Sequence, residues 1–170
     1  MSTCLYPLHV PPVTIISLDD PRLEPYRDQR DAWLAAPHNP SGHVPAPANP
    51  DPGLFMAEGV LVIRALLASR FPVHSILATP ARFEAIEAEV ASRAPDTPVY
   101  LAPPALMEAI LGFDLHRGLL AAGRRLAPTP ASQVIARSRM LVIAEDLSNH
   151  DNVGGLFRTV AALALSLIHI

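Results

Sequence analysis

The chain contains no lysine, so all 13 of its basic residues are arginine, and 16 acidic residues outnumber them. The formal net charge of −3 gives no overall attraction to nucleic acid. Any binding of RNA would therefore depend on local clusters of arginine. Arginine suits bidentate contacts to phosphate, but a GC-rich coding sequence also replaces lysine with arginine, and we favour that second explanation.

Cysteine is almost absent as well. Cys4 is the single cysteine, which excludes an intrachain disulfide and a thiolate zinc cluster. The seven histidines are scattered and lack the HExxH spacing, so no metal site is predicted. The N-terminus lacks a charged region followed by a long apolar stretch, and the apolar runs are too short to span a bilayer. We expect a soluble, cytoplasmic protein.

Strand-like and helix-like segments alternate along the chain, which predicts an α/β fold. The strands are expected at 54–57, 74–78, 98–102, 119–122 and 140–144, and the helices at 59–69, 79–92, 104–111 and 131–138. Six segments follow from this pattern. They are an N-terminal arm (1–34), a proline-rich linker (35–53), an α/β domain (54–127), a second linker (128–138), the start of another domain (139–164) and a tail (165–170).

The richest motif is the run from Leu141 to Arg158. An apolar strand is followed by polar turn formers and then by Gly154-Gly155 at the expected start of a helix. A helix N-terminus has backbone N–H groups without intrahelical partners, so this turn could receive an anion or a ribose phosphate. Arg158 lies one helical turn past Gly154 and should point back toward it. The alternative is purely structural: the glycines let a helix start close to the strand, and Asn152 caps it.

The pattern Asn152-x-Gly154-x-x-x-Arg158 resembles the first motif of the SpoU-type RNA 2′-O-ribose methyltransferases, which belong to the knotted SPOUT superfamily. The resemblance implies an α/β, ribosomal-protein-like RNA-binding domain followed by the first strand–loop–helix of a trefoil-knot methyltransferase domain. It implies S-adenosylmethionine as methyl donor, an rRNA or tRNA loop as substrate, and a homodimer for the full-length parent. Arg158 and Asn152 would be the catalytic residues. The residues that contact the substrate would be Glu145, Asn149, Gly154 and Gly155.

Two further segments carry candidate RNA contacts. The stretches Phe55–Gly59 and Gly112–Gly118 resemble the family's substrate-recognition domain, which implies roles for Arg64, His116 and Arg117. A tight turn with an exposed arginine would explain the second stretch equally well. The segment Tyr26-Arg27-Asp28-Gln29-Arg30 interleaves an aromatic ring with Arg27 and Arg30, a pattern that suits single-stranded RNA. A solvated helix face with Arg–Asp pairs is the alternative, which we favour slightly.

The last six residues, 165–170, resemble the translation of a sequencing-library adapter, so we expect the native sequence to end near Ala164. The family's donor-binding motifs would then lie beyond this chain, and the strand at 140–144 would lack neighbours. On this reading the chain itself does not bind the donor. Two other functions stay open: a non-catalytic RNA-binding module that uses the middle domain, and a small nucleotide-phosphate binder that uses the turn from Asn152 to Gly155.

Overall fold

The computed structural model describes residues 10–27, 53–111, 118–144, 150–163 and 166–169. The chain divides into two compact units, residues 1–126 and residues 127–170. The α/β character expected from the alternating pattern is confirmed, because helices and strands alternate through both units.

The first unit is built on a mixed five-stranded sheet in the order β1-β4-β3-β5-β2. Its strands are β1 (Val13–Thr14), β2 (Leu54–Glu58), β3 (Val73–Ala78), β4 (Val99–Leu101) and β5 (Leu119–Arg124). Strand β4 runs parallel to β1 and β3, whereas β5 runs antiparallel to β2 and β3. The C-terminal end of β3 therefore lies beside the N-terminal end of β5.

Helices cover both faces of this sheet. The helices are α1 (Val60–Leu67), α2 (Pro80–Phe83), α3 (Glu87–Arg93) and α4 (Pro104–Leu111). Alternate residues of the central strands point to opposite faces, as the pleat requires. Thus Ile76 joins a cluster with residues of α1, α2 and α3, whereas Leu77 joins a cluster with residues of α4. Burial on both sides explains why these strands read as continuous apolar runs.

Residues 10–27 supply Ile15, Leu23 and Tyr26 to the core of the first unit, although the sequence suggested a separate arm. Strand β1 pairs with β4, and a 3₁₀ helix (Pro21–Tyr26) follows it. Leu23 and Tyr26 of this helix are fully buried in the second cluster. Strand β1 is only two residues long, and Ile16, two residues past its end, is 87% exposed.

The single helix predicted for 79–92 is divided in two, so that prediction is wrong. Helix α2 ends at Phe83 and α3 begins at Glu87. At the break, Ile86 leaves the helical conformation with φ −130° and ψ −2°, and its side chain is completely buried. Burial of Ile86 between the two pieces accounts for a break that helical periodicity alone does not show. Thr79 precedes α2, but its side chain makes no capping hydrogen bond.

The second unit contains α5 (Ala131–Arg137), β6 (Leu141–Ala144), α6 (His150–Ala162) and β7 (Ser166–His169). Strands β6 and β7 pair in parallel, with Ile143 opposite Ile168. The expectation that the strand at 140–144 lacks neighbours is therefore wrong. Strand β7 contains the apolar pair Leu167 and Ile168, and β-branched Ile168 suits a strand.

The glycine pair also lies elsewhere than predicted. Helix α6 begins at His150, so Gly154 and Gly155 are inside the helix rather than in a turn before it. Positive φ angles among the described glycines occur at Gly53, Gly59 and Gly118. Glycine weakens a helix by about 1 kcal/mol relative to alanine but does not prevent it, and the helix accommodates both residues.

Candidate functional site

The guanidinium of Arg158 lies beside the backbone of Gly154 on helix α6. A Cβ atom placed on Gly154 would lie 3.4 Å from Nη1 of Arg158. This geometry follows from the helix, because residues four apart share a face and long side chains lean toward the N-terminus. The sequence prediction that Arg158 points back toward Gly154 therefore agrees with the structure.

The surroundings of this arginine are open. Arg158 and Asn152 are exposed, and a Cβ placed on Gly155 would meet nothing within 4 Å. The hydroxyl of Thr159 donates to the carbonyl of Gly155 at 3.0 Å and so faces its own helix. Because Gly154 has no side chain, the space beside the Arg158 guanidinium can receive an anionic or hydroxyl-bearing group. The guanidinium is permanently charged and can bind such a group. It can stabilise negative charge, but it is a poor proton acceptor.

A second group of residues meets at one end of the sheet in the first unit. Gly59 donates its N–H to Leu119 O at 3.0 Å, and Thr79 donates to Gly118 O at 3.0 Å. Gly59 has φ 83° and Gly118 has φ 57°, so both positions favour glycine. These two hydrogen bonds bring three element ends together at one edge of the sheet: the starts of α1, α2 and β5.

Arg82 belongs to this edge and was missed by the sequence analysis. Its Cγ atom would lie 3.4 Å from a Cβ on Gly118, and the residue is exposed. The signal that could have identified it is local. Arg82 is the third residue of a helix that begins immediately after a buried strand, where side chains reach the carboxyl end of the sheet.

Arg64 contacts protein groups in this structure. Its Nε donates to Glu89 Oε1 at 2.7 Å, and its Nη2 donates to the carbonyl of Ala85 at 3.0 Å. These contacts join α1 to α3 and to the break before it. The ion pair is half exposed, so an RNA phosphate could compete for the guanidinium, and the role of Arg64 in RNA binding stays a prediction.

The N-terminal cluster around Tyr26 does not form an RNA-stacking surface. Tyr26 is completely buried, and its hydroxyl hydrogen-bonds Ser75 Oγ at 2.7 Å. Burial raises the pKa of the Tyr26 hydroxyl above its ordinary value. The proposed stacking of a base on this ring is therefore wrong: the ring fills the core.

Arg27 braces the turn that precedes the 3₁₀ helix. Its guanidinium donates to the carbonyl of Leu18, and to the carbonyl of Asp20 at 3.1 Å. In the same turn Arg22 Nη2 lies 2.6 Å from Asp20 Oδ2. The hydrogen bond from Arg22 lowers the pKa of Asp20 to about 2. These arginines hold the chain locally, and an RNA contact by Arg27 stays a prediction.

Five predicted site residues lie outside the described residues: Arg30, His116, Arg117, Glu145 and Asn149. Within the described part of the chain, no group of three histidine, cysteine or acidic residues is placed to hold a metal ion. None of the helices in that part is long and apolar enough to cross a membrane.

No family model matches the chain. It is 34% identical over 150 residues to a protein of Mycobacterium bovis named an uncharacterized tRNA/rRNA methyltransferase. A protein of Mycobacterium tuberculosis with the same description is 33% identical over 150 residues. Each alignment covers 88% of this chain and 48% of the relative. The chain is a homologue of proteins named tRNA/rRNA methyltransferases. This relationship confirms the resemblance to RNA methyltransferases.

The fold of this methyltransferase homologue also has solved counterparts. An rRNA methyltransferase of Sinorhizobium meliloti, in an AdoMet-bound structure, matches with a TM-score of 0.60 and 16% identity over 92% of this chain and 54% of that chain. Another structure of an rRNA methyltransferase from the same organism matches with a TM-score of 0.61. At this identity the likeness establishes the fold alone. The chain spans about half the length of the curated relatives it matches.

Proposed function

We propose that this chain is the RNA-recognition domain and the first catalytic segment of a SpoU-type RNA 2′-O-ribose methyltransferase. The substrate would be an rRNA or tRNA loop, and S-adenosylmethionine would be the methyl donor. The observation that carries the proposal is the position of Arg158 beside Gly154 on the helix that follows β6, in a homologue of named tRNA/rRNA methyltransferases.

The proposed role of Arg158 follows from its charge and its setting. Transfer of a methyl group to a ribose 2′-hydroxyl develops negative charge on that oxygen and requires its alignment with the methyl carbon. A guanidinium remains charged at every physiological pH, so it stabilises that oxygen and binds the adjacent phosphate. It does not accept the proton. Asn152 would order the segment at the start of the same helix.

The described residues around Arg158 do not form a donor site. When bound, S-adenosylmethionine supplies an electrophilic methyl group. An enclosed cavity would be needed to hold it, whereas Arg158, Asn152 and the space above Gly155 are open. No described residue around Arg158 is therefore proposed to bind the donor. The resemblance places the donor motifs C-terminal to α6, and the homodimer would form through the same region of the full-length protein.

The first unit would recognise RNA at the edge formed by Gly59, Thr79 and Gly118. Arg82 is exposed there, and its side chain lies against Gly118. His116 and Arg117, which directly precede Gly118 in the sequence, stay candidate RNA contacts. Single-stranded RNA loops are recognised by such combinations of backbone and arginine contacts.

The test uses the full-length protein encoded by the source gene. Methyl transfer to rRNA and tRNA from radiolabelled S-adenosylmethionine is measured for the wild type, Arg158→Ala and Arg158→Lys. We expect Arg158→Ala to reduce kcat by about 100-fold or more, as for loss of one group that stabilises developing charge, with RNA affinity changed far less. Arg158→Lys should recover part of the rate.

An unchanged kcat in Arg158→Ala would contradict the proposed role of this arginine. RNA binding without any methyl transfer by the full-length protein would instead favour a non-catalytic RNA-binding module. Arg82→Ala should weaken RNA binding in either case, because it tests the recognition edge separately from catalysis.

A further inference from the structure

A cleft with a mixed polar and apolar lining lies at the end of the first unit's sheet opposite Gly59 and Gly118. It occupies about 520 Å³ and is lined by the start of β3, the turn after α3, the start of β4 and the end of β5. This volume is in the range of about 300–1,000 Å³ typical of ligand sites. Its charged and aromatic lining residues are His74, Arg93, Asp96, Tyr100 and Arg124.

The two arginines of the cleft come from different elements. Arg93 ends α3 and Arg124 ends β5, and both are exposed. Among the described residues, neither guanidinium has a hydrogen-bond or ion-pair partner, in contrast to Arg64, which is held by Glu89. Two guanidiniums that line one cleft and have no partner among the described residues are suited to bind phosphate.

The third basic side chain is held by a buried hydrogen-bond chain. The register of β3 against β5 shifts between Val73 and Ser75, so His74 occupies an irregularity in the strand. Such irregularities re-aim side chains and are frequent next to functional sites. Nδ1 of His74 hydrogen-bonds Ser75 Oγ at 2.9 Å, and Ser75 Oγ hydrogen-bonds the hydroxyl of Tyr26 at 2.7 Å. Ser75 and Tyr26 are completely buried, so they fix the imidazole at the cleft wall.

The cleft also offers an aromatic ring. Tyr100 is half-buried on β4, and the guanidinium carbon of Arg22 lies 5.8 Å from its ring centroid. Besides the imidazole, the charged groups of the lining are two guanidiniums and the carboxylate of Asp96. An arginine pair beside an aromatic ring is the combination that single-stranded nucleic acid binding uses.

We propose that this cleft binds the phosphate backbone of a single-stranded segment of the RNA substrate, with Arg93 and Arg124 as the phosphate contacts and His74 as a positioned third contact. The assignment of RNA as the ligand rests on the proposed function. The site is a second RNA contact, separate from the edge at Gly118, and it extends the RNA footprint to both ends of the sheet.

The test measures binding of a fluorescently labelled single-stranded RNA oligonucleotide to the 170-residue chain at several salt concentrations. Each phosphate contact with a single strand contributes about 0.7 to the slope of log K against log salt concentration. The double variant R93A/R124A should therefore lower the magnitude of the slope by about 1.4 and weaken binding by about tenfold at ~0.1 M salt. R93K/R124K should retain most of the affinity, since it keeps both charges.

A matched control removes the same charge elsewhere. R70A/R137A changes two exposed arginines that do not line the cleft, and it should leave the slope unchanged. Asp96→Asn removes the negative charge of the cleft and should strengthen RNA binding, a gain that a folding defect does not produce.

Wild-type affinity and slope in R93A/R124A would overturn the proposal, as would equal losses in the R70A/R137A control. Equal competition by poly-glutamate at matched charge would overturn the assignment to RNA and leave a general anion site. Methyl-transfer assays of the full-length protein keep the two proposals distinguishable. If the cleft proposal is wrong, R93A/R124A binds RNA as tightly as the wild type, and the wild-type protein still methylates RNA. If the methyltransferase proposal is wrong, the full-length protein does not methylate RNA, but R93A/R124A still binds RNA more weakly than the wild type.

Discussion

Gly154 and Gly155 provide a matched pair of substitutions that separates helix stability from function. Both lie inside the 13-residue helix α6, and neither has a positive φ. Replacement of either by alanine should stabilise the helix by about 0.5–1 kcal/mol, because alanine loses less backbone entropy on folding. The two positions differ in what the new methyl group meets.

At Gly154 the added Cβ would lie 3.4 Å from Arg158 Nη1, whereas at Gly155 it would meet nothing within 4 Å. The first contact is at the close edge of the ordinary van der Waals range, so Gly154→Ala should fold. Its methyl group, however, fills the space beside the guanidinium that we propose for the ribose phosphate. A misplacement of about 1 Å near reacting groups can reduce a rate by about 100-fold. We therefore expect Gly154→Ala to reduce methyl transfer by about 10- to 100-fold and Gly155→Ala to leave it near the wild-type value.

Two measurements check this pair. Hydrogen–deuterium exchange of the α6 amides should slow in both variants, and methyl transfer by the full-length protein should fall only in Gly154→Ala. Equal rates in the two variants would refute the functional reading of the Gly154–Arg158 contact. Faster exchange in either variant would refute the helical placement of the glycines.

Three further predictions concern the first unit. Tyr26→Phe removes a buried hydroxyl and should lower the free energy of unfolding by about 1 kcal/mol, measured by urea denaturation; an unchanged free energy of unfolding would contradict a structural role for the Tyr26–Ser75 hydrogen bond. Gly123→Ala places a Cβ 2.4 Å from Cζ of Phe55 and should destabilise by about 1–3 kcal/mol. Combining it with Phe55→Leu should recover part of that loss, and full additivity in the double-mutant cycle would contradict the steric explanation. For Asp20, an NMR titration should give a pKa of about 2 that rises toward 3.8 in Arg22→Ala. Because the folded-state pKa of Asp20 is lowered, its stabilising contribution is present above pH 3.8 and is lost as the pH falls toward 2; an unchanged pKa in the Arg22 variant would contradict the assigned cause.

The spacing of apolar residues along the sequence predicted those helices and strands that bury one face or both faces along their whole length. Helix α4 has the bounds expected from sequence, Pro104–Leu111, and the strand predicted at 119–122 lies within β5. These segments succeed because local apolar spacing and tertiary burial agree. The position of Arg158 beside Gly154 was also predictable, since residues four apart in a helix are neighbours whatever packs around them.

The failures occur where tertiary contacts decide the outcome. Tyr26 lies among charged residues in sequence, yet the pairing of β1 with β4 brings it over Ser75, where it is buried. Ile86 continues a helical pattern, but its burial is achieved by a break in the helix. The contact between Arg82 and Gly118 depends on sheet order, which joins residues 36 positions apart. Spacing along the chain does not reveal the burial of Tyr26 or the break at Ile86. For Arg82, the local pattern indicates the edge of the sheet but not the partner Gly118.

The most direct test of the account is the chemical position of the methyl group on RNA modified by the full-length protein. RNA treated with the enzyme and S-adenosylmethionine is digested to nucleosides, and mass spectrometry assigns the added mass to ribose or base. The account predicts a 2′-O-methylated ribose in the wild type and its loss in Arg158→Ala, with RNA binding retained. A methylated base, or a 2′-O-methyl group formed equally well by Arg158→Ala, would contradict it.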